Sequence, residues 1–361
     1  MIGMEKSEKS VCGCAYMGQQ RSIIPFIHPQ LFFLMRTIFN HNSMAVLAAL
    51  AAVVFPTSFT RAEVPRNDAG ATAAGHPAAG NRESLHGQPT RGAALLKKLD
   101  PFYKQHVEAD GLLIVGSEKV SPYALNEAAY LVRAIFAKRP DVLKKLVERD
   151  MYACVMAYNE MQTDLPECRK MEPWWDKRAR GLGGRPVSCG EENLLGFAGD
   201  PYQGENIFIH EFAHGHEGVF GALDEQFKTR LHALYQKAKE SGRFRAYGMN
   251  NTGEFWAEGV QSWFNCNRGG GLELLDPAGK LVCHINTREQ LLEHMPEYAK
   301  LLDESFGQNK WVYVPVAKRL EEPHLRGYDP AKAPVFSWPA KVIEAYNRAE
   351  AEKAKKKHTI P

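Results

Sequence analysis

The chain has 361 residues, 44% of them hydrophobic and 24% charged, enough for one large globular domain or two small ones. Lys plus Arg number 45 against 42 Asp plus Glu, a formal net charge of +3. That near-balance gives no whole-protein case for a nucleic-acid partner. The basic run Lys353, Lys355, Lys356 and Lys357 reads as a solvated helix end.

In chain order, the first signal is an address. Met44–Phe55 (MAVLAALAAVVF) is uncharged and apolar, and Pro56 follows it. It falls short of the roughly 20 apolar residues that span a bilayer, so no stable membrane span is expected. It fits the core of a signal peptide, with cleavage after Ala62. Met35, followed by Arg36, is a better start for such a leader than Met1, which leaves residues 1–34 as an upstream extension. The expectation is an exported protein, secreted or periplasmic, with residues 1–62 as extension and signal peptide. Residues 63–92 are rich in Ala, Gly, Pro and Asn and read as a disordered linker. Residues 93–361 are left for the folded domain. Five of the seven cysteines follow the cleavage point: Cys154, Cys168, Cys189, Cys266 and Cys283. Export permits disulfides, an odd count leaves at least one thiol out, and Cys154, in an apolar run, is the one expected to be free and buried.

Leu112–Val115 reads as a strand, Ser121–Lys138 and Asp141–Arg149 as helices, and Tyr152–Tyr158 as a second strand. Residues 159–190, with Pro, Gly and the pair Trp174–Trp175, read as a long loop whose tryptophans line a cleft or cover a small core. Glu192–Phe197 reads as another strand, and Glu191, Glu192 and Asn193 as an edge able to hold an extended peptide. Helical patterns follow at 204–217, 222–241, 252–265, 287–305 and 338–357. Strands first and helices later predict an α+β fold with a small mixed sheet and a mostly helical C-terminal part.

His210-Glu211-Phe212-Ala213-His214 is an HExxH motif. On a helix, positions i and i+4 share a face, so both imidazoles reach one cation while Glu211, offset by one residue, reaches water bound beside it. Such a motif arises by chance in a chain of this length with a probability of roughly 1%, so a second feature is needed to separate a site from an ordinary helix. A metzincin would place Gly and His where Glu217 and Phe220 stand, which excludes that class. The next candidate is the segment Tyr247–Glu258 (YGMNNTGEFWAE). Asn251 or Thr252 caps a helix on which Glu254, Glu258 and Gln261 form one polar stripe, while Trp256, Val260, Trp263 and Phe264 lie mostly elsewhere. His216 and Glu217 point off the ligand face and read as structural or solvated. Asn250-Asn251-Thr252 is a formal glycosylation sequon, discounted because a glycan there would obstruct the cleft.

These strings together resemble the catalytic domain of anthrax lethal factor and its relatives, the gluzincin metallopeptidases, over about 50 residues. The interval between the motifs differs from the toxin's, and Ala213 stands where it has Gly. The resemblance implies a zincin-like fold and a zinc ion held by His210, His214 and Glu254. It implies Glu211 as general base, Tyr247 as oxyanion donor and Glu258 as a support for a ligand imidazole. The 93–320 region also resembles a group of secreted proteins with MAYNEM, CGEENLL and WAEGVQSWF strings. The expected activity is hydrolysis of a peptide or protein amide bond. Two alternatives stay open: a zinc domain that binds peptide or glycan without turnover, and a zinc hydrolase of non-peptide amides. No phosphate-binding glycine loop or redox cysteine pair supports a nucleotide or redox role.

Overall fold

The computed structural model describes residues 90–358. The apolar run at 44–55, the cleavage point after Ala62 and residues 63–89 of the expected linker lie outside the described residues. The fold is mixed α+β, as expected. Helix α1 (Arg91–Leu96) opens it, with the Thr90 hydroxyl accepting the Ala93 N–H.

Five strands form the main sheet: β1 (Gln105–Ala109), β2 (Leu112–Gly116), β3 (Tyr152–Met156), β4 (Gly181–Leu182) and β5 (Val187–Gly190). Their spatial order is β1-β2-β3-β5-β4, with parallel pairing of β2 to β3 and β3 to β5 and antiparallel pairing at both edges. The central strands are buried on both faces, which is why they read as unbroken apolar runs. Ile114, Ala153 and Val155 face the main core, while Leu113, Val115, Tyr152, Cys154 and Met156 face a smaller one. Helices α2 (Pro122–Ile135) and α3 (Pro140–Glu148) fill the crossover from β2 to β3, each started by a proline whose missing N–H costs nothing there.

Two expectations fail in the 159–197 region. The segment expected as loop holds the short helix α4 (Trp175–Arg178), β4 and β5; strands this short and glycine-rich carry no alternation to read. Glu192–Phe197 is not a strand. Glu191–Leu195 forms helix α5, closed by Gly196 in the left-handed region at φ 70°. Its polar side chains are buried and occupied, so they offer no edge to a peptide. Glu191 accepts the N–H groups of Ser121 and Tyr158, Glu192 pairs with the buried Arg180, and Asn193 accepts the Ile207 N–H.

Beyond the sheet come α6 (Ile207–Leu223), α7 (Phe227–Glu240) and α8 (Thr252–Trp263). A small antiparallel sheet of β6 (Phe244–Arg245), β7 (Glu273–Leu275) and β8 (Leu281–His284) flanks them. The single helix expected at 287–305 is two, α9 (Arg288–His294) and α10 (Pro296–Ser305), because the residue before a proline avoids helical geometry; Met295 sits at φ −138°. Residues 309–336 then strap the sheet side. Arg319 and His324 both bind the fully buried carboxylate of Glu127 on α2, and His324 stacks on Tyr130. The strap leads to α11 (Ala340–His358), which packs on α4: Lys177 lies 4.5 Å from the Trp338 ring, and Lys353 lies 4.2 Å from the Trp174 ring, itself stacked on Trp175. Among the described residues, no helix is long and apolar enough to cross a membrane. Cys154 is buried and free, its sulfur 3.0 Å from the Tyr103 hydroxyl oxygen.

Candidate metal centre

Two helices bring the site together. Helix α6 starts at Asn206, whose side-chain oxygen accepts the Ile209 N–H at 3.0 Å. Its apolar side (Ile207, Phe208, Phe212, Ala213) enters the main core, which fixes the direction of the adjacent His210 and His214. Helix α8 starts at Asn251, whose side chain accepts the Glu254 N–H at 2.9 Å, so Glu254 falls in the first turn. The helices are joined by the Trp256 indole N–H to the Ala213 carbonyl at 3.2 Å and by Gln261 Nε2 to the Asn206 carbonyl at 3.0 Å.

The result is a convergence of three ligand atoms. Glu254 Oε2 lies 3.2 Å from His210 Nε2 and 3.3 Å from His214 Nε2, and the two nitrogens are 3.3 Å apart. His210, His214 and Glu254 can thus hold a metal ion. The donor chemistry fits a divalent cation. Two imidazoles and the carboxylates of Glu211, Glu254 and Glu258 gather here, and the charges acting on His210 and Glu254 are those of the neighbouring carboxylates and imidazoles. Burial disfavours the imidazolium of His210, but its hydrogen bond to Glu254 and the surrounding carboxylate charge raise it to about 10. Burial likewise opposes ionisation of Glu254, yet the two imidazoles hold its carboxyl below the usual carboxylate range.

Glu211 stands beside this trio, under the sheet edge. A Cβ on Gly181 would sit 2.9 Å from Glu211 Cγ, and one on Gly183 would sit 2.6 Å from His214 Cβ, so this stretch of backbone can press on α6 only as glycine. Burial raises the Glu211 carboxyl, with the neighbouring imidazoles and the Gly183 N–H opposing it. Tyr247 also reaches the site: its hydroxyl donates to Glu254 Oε1 at 3.1 Å. It is held by backbone bonds from Tyr247 N to the Gly270 carbonyl and from Gly248 N to the Gly271 carbonyl, and it follows Ala246, strained at φ 81°. Burial and the Glu254 charge raise the phenol, which keeps it a donor.

Glu258 does not take the role expected of it. Its Oε1 is 3.7 Å from His210 Nδ1, whereas Gln261 Oε1 is at 2.9 Å. Gln261 cannot turn over without losing its bond to the Asn206 carbonyl, so its oxygen faces Nδ1. That fixes Nδ1 as the protonated nitrogen and leaves Nε2 free to ligate. Glu258 lies behind, accepting from Asn267 at 2.7 Å. The i+7 spacing had placed Gln261 on the ligand stripe without showing which member touches the histidine.

Arg178 is a residue that spacing could not find. It reaches the Tyr247 hydroxyl from α4, 69 positions earlier, as a hydrogen-bond partner. Its carrier is fixed from the other side, where Asp176 accepts the N–H and hydroxyl of Thr163. His216 is structural, as expected. It is fully buried among Phe136, Phe212, Phe220, Trp256 and Phe306, its nitrogens have no partner, and burial pushes it down to about 3, so it stays neutral. Comparison of the chain with protein-family models, with curated proteins and with solved structures gives no match in any of the three.

Proposed function

We propose that this chain is an exported, zincin-like zinc metallopeptidase that hydrolyses amide bonds of a peptide or protein. The observation that carries the reading is the meeting of His210 Nε2, His214 Nε2 and Glu254 Oε2 from two separate helices, with Glu211 alongside. Two nitrogens and one carboxylate oxygen are a hydrolytic zinc set, which leaves room for water. When bound, zinc would supply Lewis acidity for water and for the substrate carbonyl. The chain's own groups do the rest. Glu211 takes a proton from the attacking water and delivers it to the leaving amine. The Tyr247 hydroxyl, kept protonated by burial and the Glu254 charge and positioned by Arg178, donates to the oxyanion that develops at the carbonyl. Gln261 sets the His210 tautomer. Strand β4 supports a peptide substrate: it is an edge strand of the sheet, its Gly181 lies against Glu211 and Gly183 just after it lies against His214, so an extended chain can pair with its open side.

The test is metal analysis of the purified protein followed by peptide digestion with and without chelator. One zinc per chain is expected, lost in His210→Ala and Glu254→Ala, with chelator-sensitive cleavage. Full activity in the chelated protein would end the reading.

A further inference from the structure

A cleft of about 280 Å³ opens against His214, between the end of α3, the loop after β4 and the later turns of α6. Its floor is apolar and buried, made of Leu146, Met151 and Val219. Its walls include Gly184 and Gly218, so backbone rather than side chain bounds it there. A Cβ on Gly218 would meet nothing nearer than Arg149 Nη1 at 4.0 Å. The rim carries two exposed arginines, Arg149 and Arg185. Arg149 Nη1 donates to the Gly218 carbonyl at 3.1 Å, and Arg185 Nη1 donates to the Arg149 carbonyl at 2.8 Å. These bonds aim the guanidinium groups and use one N–H of the five each carries. Among the described residues, neither arginine has a carboxylate within 4.0 Å. The adjacent acids are taken, Glu148 by Lys145 at 3.1 Å and Asp150 by Arg91 at 2.9 Å.

We infer that this cleft is a specificity pocket for an aspartate or glutamate side chain of the substrate, next to the bond that is cut. The inference rests on the metallopeptidase reading and adds the substrate class to it. A peptide laid along β4 passes Gly181 beside Glu211 and Gly183 beside His214 before reaching Gly184 at the mouth of the cleft. Side chains of an extended peptide alternate, so one that drops past His214 enters between Gly184 and Gly218. The floor takes its methylene stem. The two forks meet its carboxylate in the planar geometry that arginine supplies and lysine does not. A lysine or arginine in the same place would meet two like charges.

A randomised peptide library, digested by the zinc-loaded full chain and read by mass spectrometry, tests this. The expected result is at least tenfold enrichment of Asp and Glu at one fixed position beside the cut. The double variant Arg149→Gln/Arg185→Gln should lose that enrichment and keep its zinc, and Arg149→Glu/Arg185→Glu should turn it towards Lys and Arg. Gly218→Met, which fills the cleft where a side chain has room, should also remove it. Chelator-sensitive cleavage with no acidic enrichment, or with enrichment unchanged in the Gln/Gln variant, overturns the pocket and leaves the peptidase standing. Absence of any chelator-sensitive cleavage counts against the peptidase instead. A binding arm then decides the cleft: immobilised Glu211→Gln full chain should capture Asp- and Glu-rich peptides from the same library, and equal capture by the added Gln/Gln variant overturns it.

Discussion

The candidate metal centre and the strap anchor both bury glutamate against histidine, and they differ in what else stands beside the carboxylate. At the anchor, Glu127 on α2 meets Arg319 and His324 from the strap, and the buried carboxylate is answered by a cation the chain itself supplies. At the centre, two histidines and three carboxylates converge, and the charges acting on His210 and Glu254 are those of one another and of their neighbouring carboxylates and imidazole. A buried His–Glu cluster is therefore not diagnostic of metal by itself. What separates the two is whether the charge account closes within the polypeptide. The first site is a tie that holds two stretches of chain; the second is a group of side chains that could hold a metal ion.

Mutations should split the two sites cleanly. The largest effect belongs to Glu211→Gln, expected to keep zinc while kcat/KM falls by about 10³–10⁴-fold, the upper range for a proton-transfer group. Full activity in that variant would remove Glu211 as base. Arg319→Met should do the reverse. It leaves the buried Glu127 with His324 as its remaining partner and without its arginine, at a cost of up to about 3–5 kcal/mol, read as a fall in denaturant midpoint, with zinc content unchanged. If zinc content fell with it, the two sites would be one unit. Tyr247→Phe should lower kcat by about 10²–10³-fold with little change in KM, the loss expected of one oxyanion donor. A change confined to KM would make it a binding residue only.

Gln261→Leu should weaken zinc binding by about 10–100-fold, since it frees the His210 tautomer; competition with a chromophoric chelator reads this. Glu258→Gln should matter less than Gln261→Leu, and the opposite ranking would restore the role first expected of Glu258. The smallest signal is a proton count. In the metal-free protein His210 is raised from 6.5 to about 10, so its stabilising contribution is complete below 6.5 and is lost as pH climbs through 10. Glu254 is depressed, so its contribution is present above the usual carboxylate range and is lost on acidification. Zinc added at neutral pH should therefore expel about one proton from the centre, measurable in a pH-stat. Zinc added to His210→Ala should expel none.

Much of this was legible in the residues, for identifiable reasons. The shared face of His210 and His214 follows from helix periodicity, and a cap at Asn251 opens the helix that carries Glu254, both local features; that Glu254 joins the histidines was implied by the resemblance. The two-faced apolar strands announced themselves for the same reason. The strands at 181–190 stayed hidden because a glycine-rich pair of such short length has no pattern. Helix α5 was misread because Leu194, Leu195 and Phe197 look like a strand when its buried acids are assumed to face water. Arg178 and the Arg149–Arg185 pair were out of reach because their meaning depends on what tertiary structure lays beside them. Gln261 was on the right stripe, but choosing between it and Glu258 turned on a difference of 0.8 Å in their reach to one nitrogen, 2.9 Å against 3.7 Å.

The packing of α11 against α4 has a consequence for the order in which this protein matures. By residue 254 the growing chain has every ligand of the centre, but the wall carrying Arg178 still lacks its outer buttress. Trp338, Tyr346 and Lys353 supply it, from a stretch more than 80 positions further along the chain. All three candidate ligands thus precede the stretch that braces the wall beside Tyr247, so a chain cut within α11 would keep His210, His214 and Glu254 and lose that brace.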